Sequence, residues 1–169
     1  EYSTIEGIQE DVIDIMLNLK GISFKMNGNT STSLSLSKTE VGPVLASDIE
    51  LKNDIEIINP NHVIANITKD GASINMQIAV NEGIGYSSAN QRKDDANRNV
   101  GSLLIDASYS PIKKVAYKVD SARVEQRTDL DKLIIELETD GTIDPEECIR
   151  EAATILHDQV SVFVDLQAI

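Results

Sequence analysis

Apolar positions along this chain keep two different periods. Ile8, Val12, Ile15, Met16 and Leu19 recur at spacings of three and four, which puts them on one face of an α-helix. Ser3-Thr4-Ile5-Glu6 has the spacing of a capping box ahead of them, and Lys20-Gly21 follows with a cation and a flexible residue suited to a helix end. The pattern predicts a helix over about residues 4–20.

From Ile22 the period becomes two. Ile22, Phe24 and Met26 alternate with polar residues, Asn27-Gly28 offers a turn, and Leu34 and Leu36 resume the alternation, which predicts a hairpin with a loose loop. A second hairpin is expected from Val63, Ala65 and Ile67, the turn Asp70-Gly71, then Ile74, Met76, Ile78 and Val80. Gly42-Pro43 and Asn59-Pro60 punctuate the stretch between them. Residues 81–102 carry two glycines in Gly83-Ile84-Gly85 and the mixed-charge run Arg92-Lys93-Asp94-Asp95 with little apolar periodicity, and read as a surface loop. Strands are expected again at Leu103, Ile105 and Ala107, at Val115, Tyr117 and Val119, and over residues 133–137 before the turn Asp140-Gly141.

The last element is the best specified. Asp144 suits the cap, Pro145 the first helical position, and Glu146 and Glu147 face the positive helix end. A helix is expected to about residue 166. At ~100° per residue, Ile149, Ala152, Ala153, Leu156, Val160 and Phe163 form one stripe, while Cys148, Ile155, Val162 and Leu166 form a second beside it. Together they cover roughly 200°, about twice what packing on one surface requires. Two surfaces are implied: the protein's own sheet, and a partner, most simply a second copy related by two-fold symmetry. The alternative is a helix sunk between two layers of its own domain.

Composition narrows the function classes. The 169 residues, 41% of them hydrophobic and 25% charged, have the mix of a folded globular protein, and an aromatic share of 4% without Trp leaves aliphatic residues to fill the core. A net charge of −13 opposes nucleic-acid binding, which depends on clustered Lys and Arg. One cysteine, Cys148, excludes an internal disulfide, and its apolar stripe predicts a buried, inert thiol. Neither a signal-peptide core nor a run of ~18 apolar residues is present, so no membrane role and a cytoplasmic location are expected. The opening Glu1-Tyr2-Ser3-Thr4, without an initiator Met, is expected of a fragment of a longer protein.

Chemistry-bearing constellations are few. His62 and His157 have no second His or Cys at ligand spacing, so no metal and no other cofactor is expected. Asp129 and Asp131 lack the converging carboxylates of a two-metal site. Gly83-Ile84-Gly85 is too short for a dinucleotide fingerprint, and no nucleophile elbow or phosphate-binding loop occurs. Residues 123–132 mix both charge signs between two expected strands, which on its own reads as a solvated loop. No catalytic residue is predicted.

Several longer motifs carry a family likeness: Asn18-Leu19-Lys20-Gly21, Gly42-Pro43-Val44, Leu103-Leu104-Ile105-Asp106-Ala107-Ser108-Tyr109-Ser110-Pro111, and Ala122-Arg123-Val124-Glu125-Gln126-Arg127-Thr128-Asp129-Leu130-Asp131-Lys132-Leu133. The run Asp140-Gly141-Thr142-Ile143-Asp144-Pro145-Glu146-Glu147 continues it into the last helix. In these motifs the chain resembles the amino-terminal assembly domain of the bacterial RNA polymerase alpha subunit, over essentially its whole length. The resemblance implies an α+β fold: an inserted, mainly-β subdomain with one helix over residues 1–109, and over residues 110–169 part of an α/β dimerisation subdomain ending in a long helix. It implies further strands and a first dimerisation helix before Glu1, and a DNA-binding domain after Ile169.

The function so implied is a non-catalytic subunit of DNA-directed RNA polymerase, a nucleotidyltransferase complex, that dimerises and scaffolds the two large catalytic subunits. Dimerisation would fall to Ile149, Ala152, Ala153, Leu156, Val160 and Phe163 on the last helix. Large-subunit contacts would fall to Lys20, Arg123, Glu125, Gln126, Arg127, Asp129, Asp131 and Lys132, where arginines pair bidentately with carboxylates and acids accept from basic partners. Asp94 and Asp95 would be a possible contact for transcription regulators, diluted by Ala96 and Asn97. A stand-alone regulator-binding module and a hydrolase using Asp129, Asp131 or His157 are the alternatives.

Overall fold

The computed structural model describes residues 3–28, 30–52, 54–92, 101–124 and 127–165. Its architecture is α+β, and the chain divides into two compact units, Glu1–Ser110 and Pro111–Ile169.

In the first unit the helix α1 spans Val12–Lys20, so it starts well after the expected position. Its cap is Asp11, whose side chain accepts from Asp14 N at 2.7 Å, and the Ser3 capping box is not used. Gly7 is the reason. Its φ of +82° lies in the left-handed region, and a Cβ there would approach the Ala72 Cβ to 2.6 Å. The chain turns at this point, and Ile8, expected on the helix, forms an isolated bridge with Ile67 instead.

Among the described residues of this unit nine strands follow: β1 (Phe24–Met26), β2 (Ser31–Lys38), β3 (Gly42–Leu45), β4 (Ile49–Glu50), β5 (Ile55–Ile57), β6 (Val63–Ile67), β7 (Ile74–Asn81), β8 (Tyr86–Ser87) and β9 (Ala107–Ser108). Neither expected hairpin forms. β1 pairs with β5 rather than β2, and β6 pairs with β3 rather than β7. β2 and β7 instead pair antiparallel with each other, Leu34 opposite Ile78 and Leu36 opposite Met76, and β4 closes the other edge of that sheet. Alternation identifies a strand and its inward face but not its partner. β6 makes the point: the successive residues Ile64 and Ala65 point to opposite faces and are both buried, so the strand is covered on both faces, α1 packing against it, unlike a hairpin with one solvated face.

The core is aliphatic, as the composition requires. Leu34, Leu36, Val44, Ile64 and Ile67 are its largest fully enclosed side chains. The stretch expected as loop over residues 81–102 contains β8 and a short 3-10 turn at Asn90–Arg92, and the strand expected at residues 103–107 shortens to β9, which pairs with β8.

The second unit holds β10 (Ile112–Val124), β11 (Arg127–Thr139) and α2 (Pro145–Asp165). β10 and β11 form a two-stranded antiparallel ribbon in which Val115 faces Leu137, Tyr117 faces Ile135 and Val119 faces Leu133. Residues 123–132, expected between strands, therefore include the paired ends of both. The register puts an apolar row on one side, while Lys114 opposite Glu138 and Asp120 opposite Lys132 occupy the other. The apolar row is exposed at Tyr117 (78%) and Leu133 (60%).

α2 begins as expected: the Asp144 carboxylate accepts from Glu146 N at 3.1 Å and Glu147 N at 3.4 Å. Its packing does not follow expectation. Of the described stripe residues none is enclosed: Cys148 is half-buried and the others are exposed, while Leu166 lies outside the described residues. A lone two-stranded ribbon lacks the width to cover a helix stripe and supply a core.

Candidate functional site

Lys20 is the exposed last residue of α1, and the turn beneath it is tied down from several sides. Helix C-termini leave carbonyls without intrahelical partners. Here Gly21 N donates back to Asn18 O at 3.0 Å, and the His62 Nε2 donates to the same carbonyl at 2.8 Å. Because a carbonyl only accepts, this contact fixes the proton on Nε2. Asn59 grips both sides of the same turn, its Nδ2 donating to Gly21 O and its Oδ1 accepting from Ser23 N, each at 2.8 Å. The Asn18 side chain in turn donates to Ile64 O at 2.9 Å.

The charge of Lys20 acts on Asp106, just before β9. The Asp106 carboxyl accepts from Ala89 N at 2.7 Å and from the Tyr86 hydroxyl, and these bonds, with the positive charges of Lys20 and Arg92, hold it below the usual carboxylate range against a smaller opposing effect of desolvation. Tyr86 responds in the opposite sense: its bond to the Asp106 carboxylate favours the protonated phenol and raises its pKa. Arg92 bonds the Ile105 carbonyl, which joins the 3-10 turn to the segment carrying Asp106. An exposed cation, a carboxylate and a phenol thus lie on one region of the first unit.

The other expected contact residues belong to the second unit. Asp131 stands opposite Ser121 and Lys132 opposite Asp120, both exposed, and as neighbours on one strand they face opposite sides of the ribbon. Arg123, Arg127 and Asp129 lie on the paired strands by backbone. Glu125, Gln126, Asp94 and Asp95 lie outside the described residues. On α2, Ile149, Ala152, Ala153, Leu156, Val160 and Phe163 are all exposed, Leu156 to 65% and Phe163 to 70%. The structure thus brings the six dimerisation candidates onto one surface and leaves the contact candidates divided between the two units.

His157 is exposed on the polar side of α2 beside Asp158, at 3.3 Å. Among the described residues no group of three or more His, Cys, Asp or Glu is placed to hold a metal ion. Sequence reasoning missed His62 and Asn59, since Asn59-Pro60 reads only as a turn and a lone His near it carries no spacing signal. It also missed Asp106, whose partners come from a separate segment.

Over residues 1–110 the chain matches the family described as the RNA polymerase Rpb3/RpoA insert domain. The match spans the whole of the first unit, including α1, the clamp around Gly21 and the Tyr86–Asp106 pair. The chain therefore belongs to the RNA polymerase Rpb3/RpoA insert domain family, as an RNA polymerase alpha-subunit amino-terminal domain.

Proposed function

We propose that this chain is a non-catalytic assembly subunit: two copies associate through α2, and the pair receives the two large catalytic subunits of a DNA-directed RNA polymerase. The observation that carries the reading is the exposed apolar surface of α2. On the stripe proposed to pair, Leu156 and Phe163 are the most exposed, with Ile149 and Val160 also open to solvent. Leaving such surface in water forgoes roughly 25 cal/mol for each Å² that burial would remove, and contiguous patches of this kind mark interaction sites.

The exposure of both stripes removes the argument that one of them is reserved for the protein's own sheet. Support for a second copy comes instead from family membership together with the unsatisfied apolar area. Lys20, Arg123, Glu125, Gln126, Arg127, Asp129, Asp131 and Lys132 are the residues proposed to meet the large subunits; of these Lys132, opposite Asp120, lies on the charge-paired side of the β10–β11 ribbon, which suits a polar, specific contact, and Asp131 lies on the other side.

The test is co-production of the full chain with the two large polymerase subunits, followed by size and stoichiometry measurement by light scattering. Two copies per assembly are expected. A chain that stays monomeric and fails to retain either large subunit would overturn the proposal.

A further inference from the structure

We propose that Asn59 and His62 are positioning residues that fix the last turn of α1 and thereby aim Lys20 at its protein partner. This rests on the reading of Lys20 as a large-subunit contact. The last turn of a helix commonly frays, and a charged side chain mounted on it loses its direction. Here the backbone is held on both sides of Lys20, at Asn18 O by His62 and at Gly21 O by Asn59.

The clamp is itself anchored in the core. His62 O accepts from Ala46 N at 2.8 Å and Pro60 O from Ser47 N at 2.9 Å, and Ala46 is fully enclosed. The turn that carries both side chains is thus bonded to the segment after β3. Gly21 completes the device. Its φ of −76° and ψ of −7° are open to any residue, yet a Cβ there would approach the His62 ring to 2.7 Å. A side chain at Gly21 would have to push the imidazole aside and would also crowd the Asn18 carbonyl at 3.3 Å.

A double-mutant cycle separates positioning from general support. The full chain would carry Lys20→Ala, His62→Ala, Asn59→Ala, or Lys20→Ala with His62→Ala, and its affinity for each isolated large subunit would be measured beside a thermal melt. Lys20→Ala should weaken one of the two complexes by about tenfold, the size of a modest interface anchor. His62→Ala and Asn59→Ala should each weaken the same complex several-fold, and His62→Ala should add nothing once Lys20 is gone. His62→Gln, which keeps an amide donor near the Nε2 position, should restore much of the loss.

Equal losses from His62→Ala with and without Lys20, or no loss at all, would overturn the positioning role while leaving the contact intact. An inert Lys20→Ala would instead remove the contact itself, and the positioning role with it. Should His62→Ala fail to fold, Gly21→Ala displaces the ring without deleting it and enters the same cycle.

Discussion

Gly21 and the His62 imidazole lie so close that a methyl on Gly21 would sit 2.7 Å from both Cε1 and Nε2, so the ring would have to shift to admit it. Gly21→Ala is therefore expected to destabilise the first unit by about 1–3 kcal/mol, as overpacking does. The Gly21 backbone is in the right-handed region, so the same change in a His62→Ala background meets only the Asn18 carbonyl, at 3.3 Å, and should cost less. Urea denaturation of the four variants measures this. A Gly21→Ala penalty of equal size in both backgrounds would show that the ring is not its cause.

Asp48 ends the short 3-10 turn just before β4, bonded to Lys38 Nζ and to Leu45 N, each at 2.7 Å. Desolvation pushes its pKa up, but the Lys38 hydrogen bond, the Leu45 N–H and the Lys38 charge together outweigh it and leave the carboxyl below its ordinary value of 3.8. With the folded pKa depressed, the contribution to stability is fully present above the unfolded pKa and is lost as pH falls through the folded one. The first unit should thus weaken below about pH 4 by a component that Lys38→Met removes. Asp48→Ala should cost about 1 kcal/mol at neutral pH, because the half-buried Leu45 amide loses its acceptor while the Lys38 ammonium keeps only the Pro43 carbonyl, at 3.0 Å. Denaturant titrations at pH 7 and pH 3 compare the two; an acid-induced loss unchanged by Lys38→Met would assign it to other carboxylates.

The Tyr86–Asp106 pair gives a prediction independent of stability. Removing the phenol in Tyr86→Phe deletes one of the bonds that hold the Asp106 carboxyl low, so its titration midpoint should rise toward the ordinary value while staying below it, because Ala89 N still donates. Carboxyl-carbon NMR titration reads this directly. A midpoint that does not move would mean that the bond is absent in solution.

How much of this could be read from residue order depends on how local each cause is. The start of α2 needed only Asp144, Pro145 and two glutamates, and it folds as those residues specify. The start of α1 did not, because Ser3 to Glu6 satisfies the local rule while Gly7, turned against Ala72, enforces another path. β2 and β7 were recognisable as strands, but which strands they join is decided by burial on both sides of β6, a property of the packed unit. The clamp at Gly21 joins residues some forty positions apart through one carbonyl, and no spacing within either motif announces it.

Leu156 gives the sharpest separation between folding and association. It is 65% exposed in the single chain, so Leu156→Asp should change the stability of the isolated protomer by no more than about 0.5 kcal/mol, as surface substitutions do. If a second copy covers the stripe containing Leu156, the same change would bury an unpaired carboxylate, at a cost of several kcal/mol, and the pair should dissociate. Ile155, equally exposed and about 100° around the helix, lies on the neighbouring stripe and serves as the control. Sedimentation equilibrium of the full chain should show Leu156→Asp as a monomer and Ile155→Asp as closer to the parent. Dimers that survive Leu156→Asp would move the interface off this stripe, and monomers in every variant, the parent included, would remove the two-copy assembly altogether.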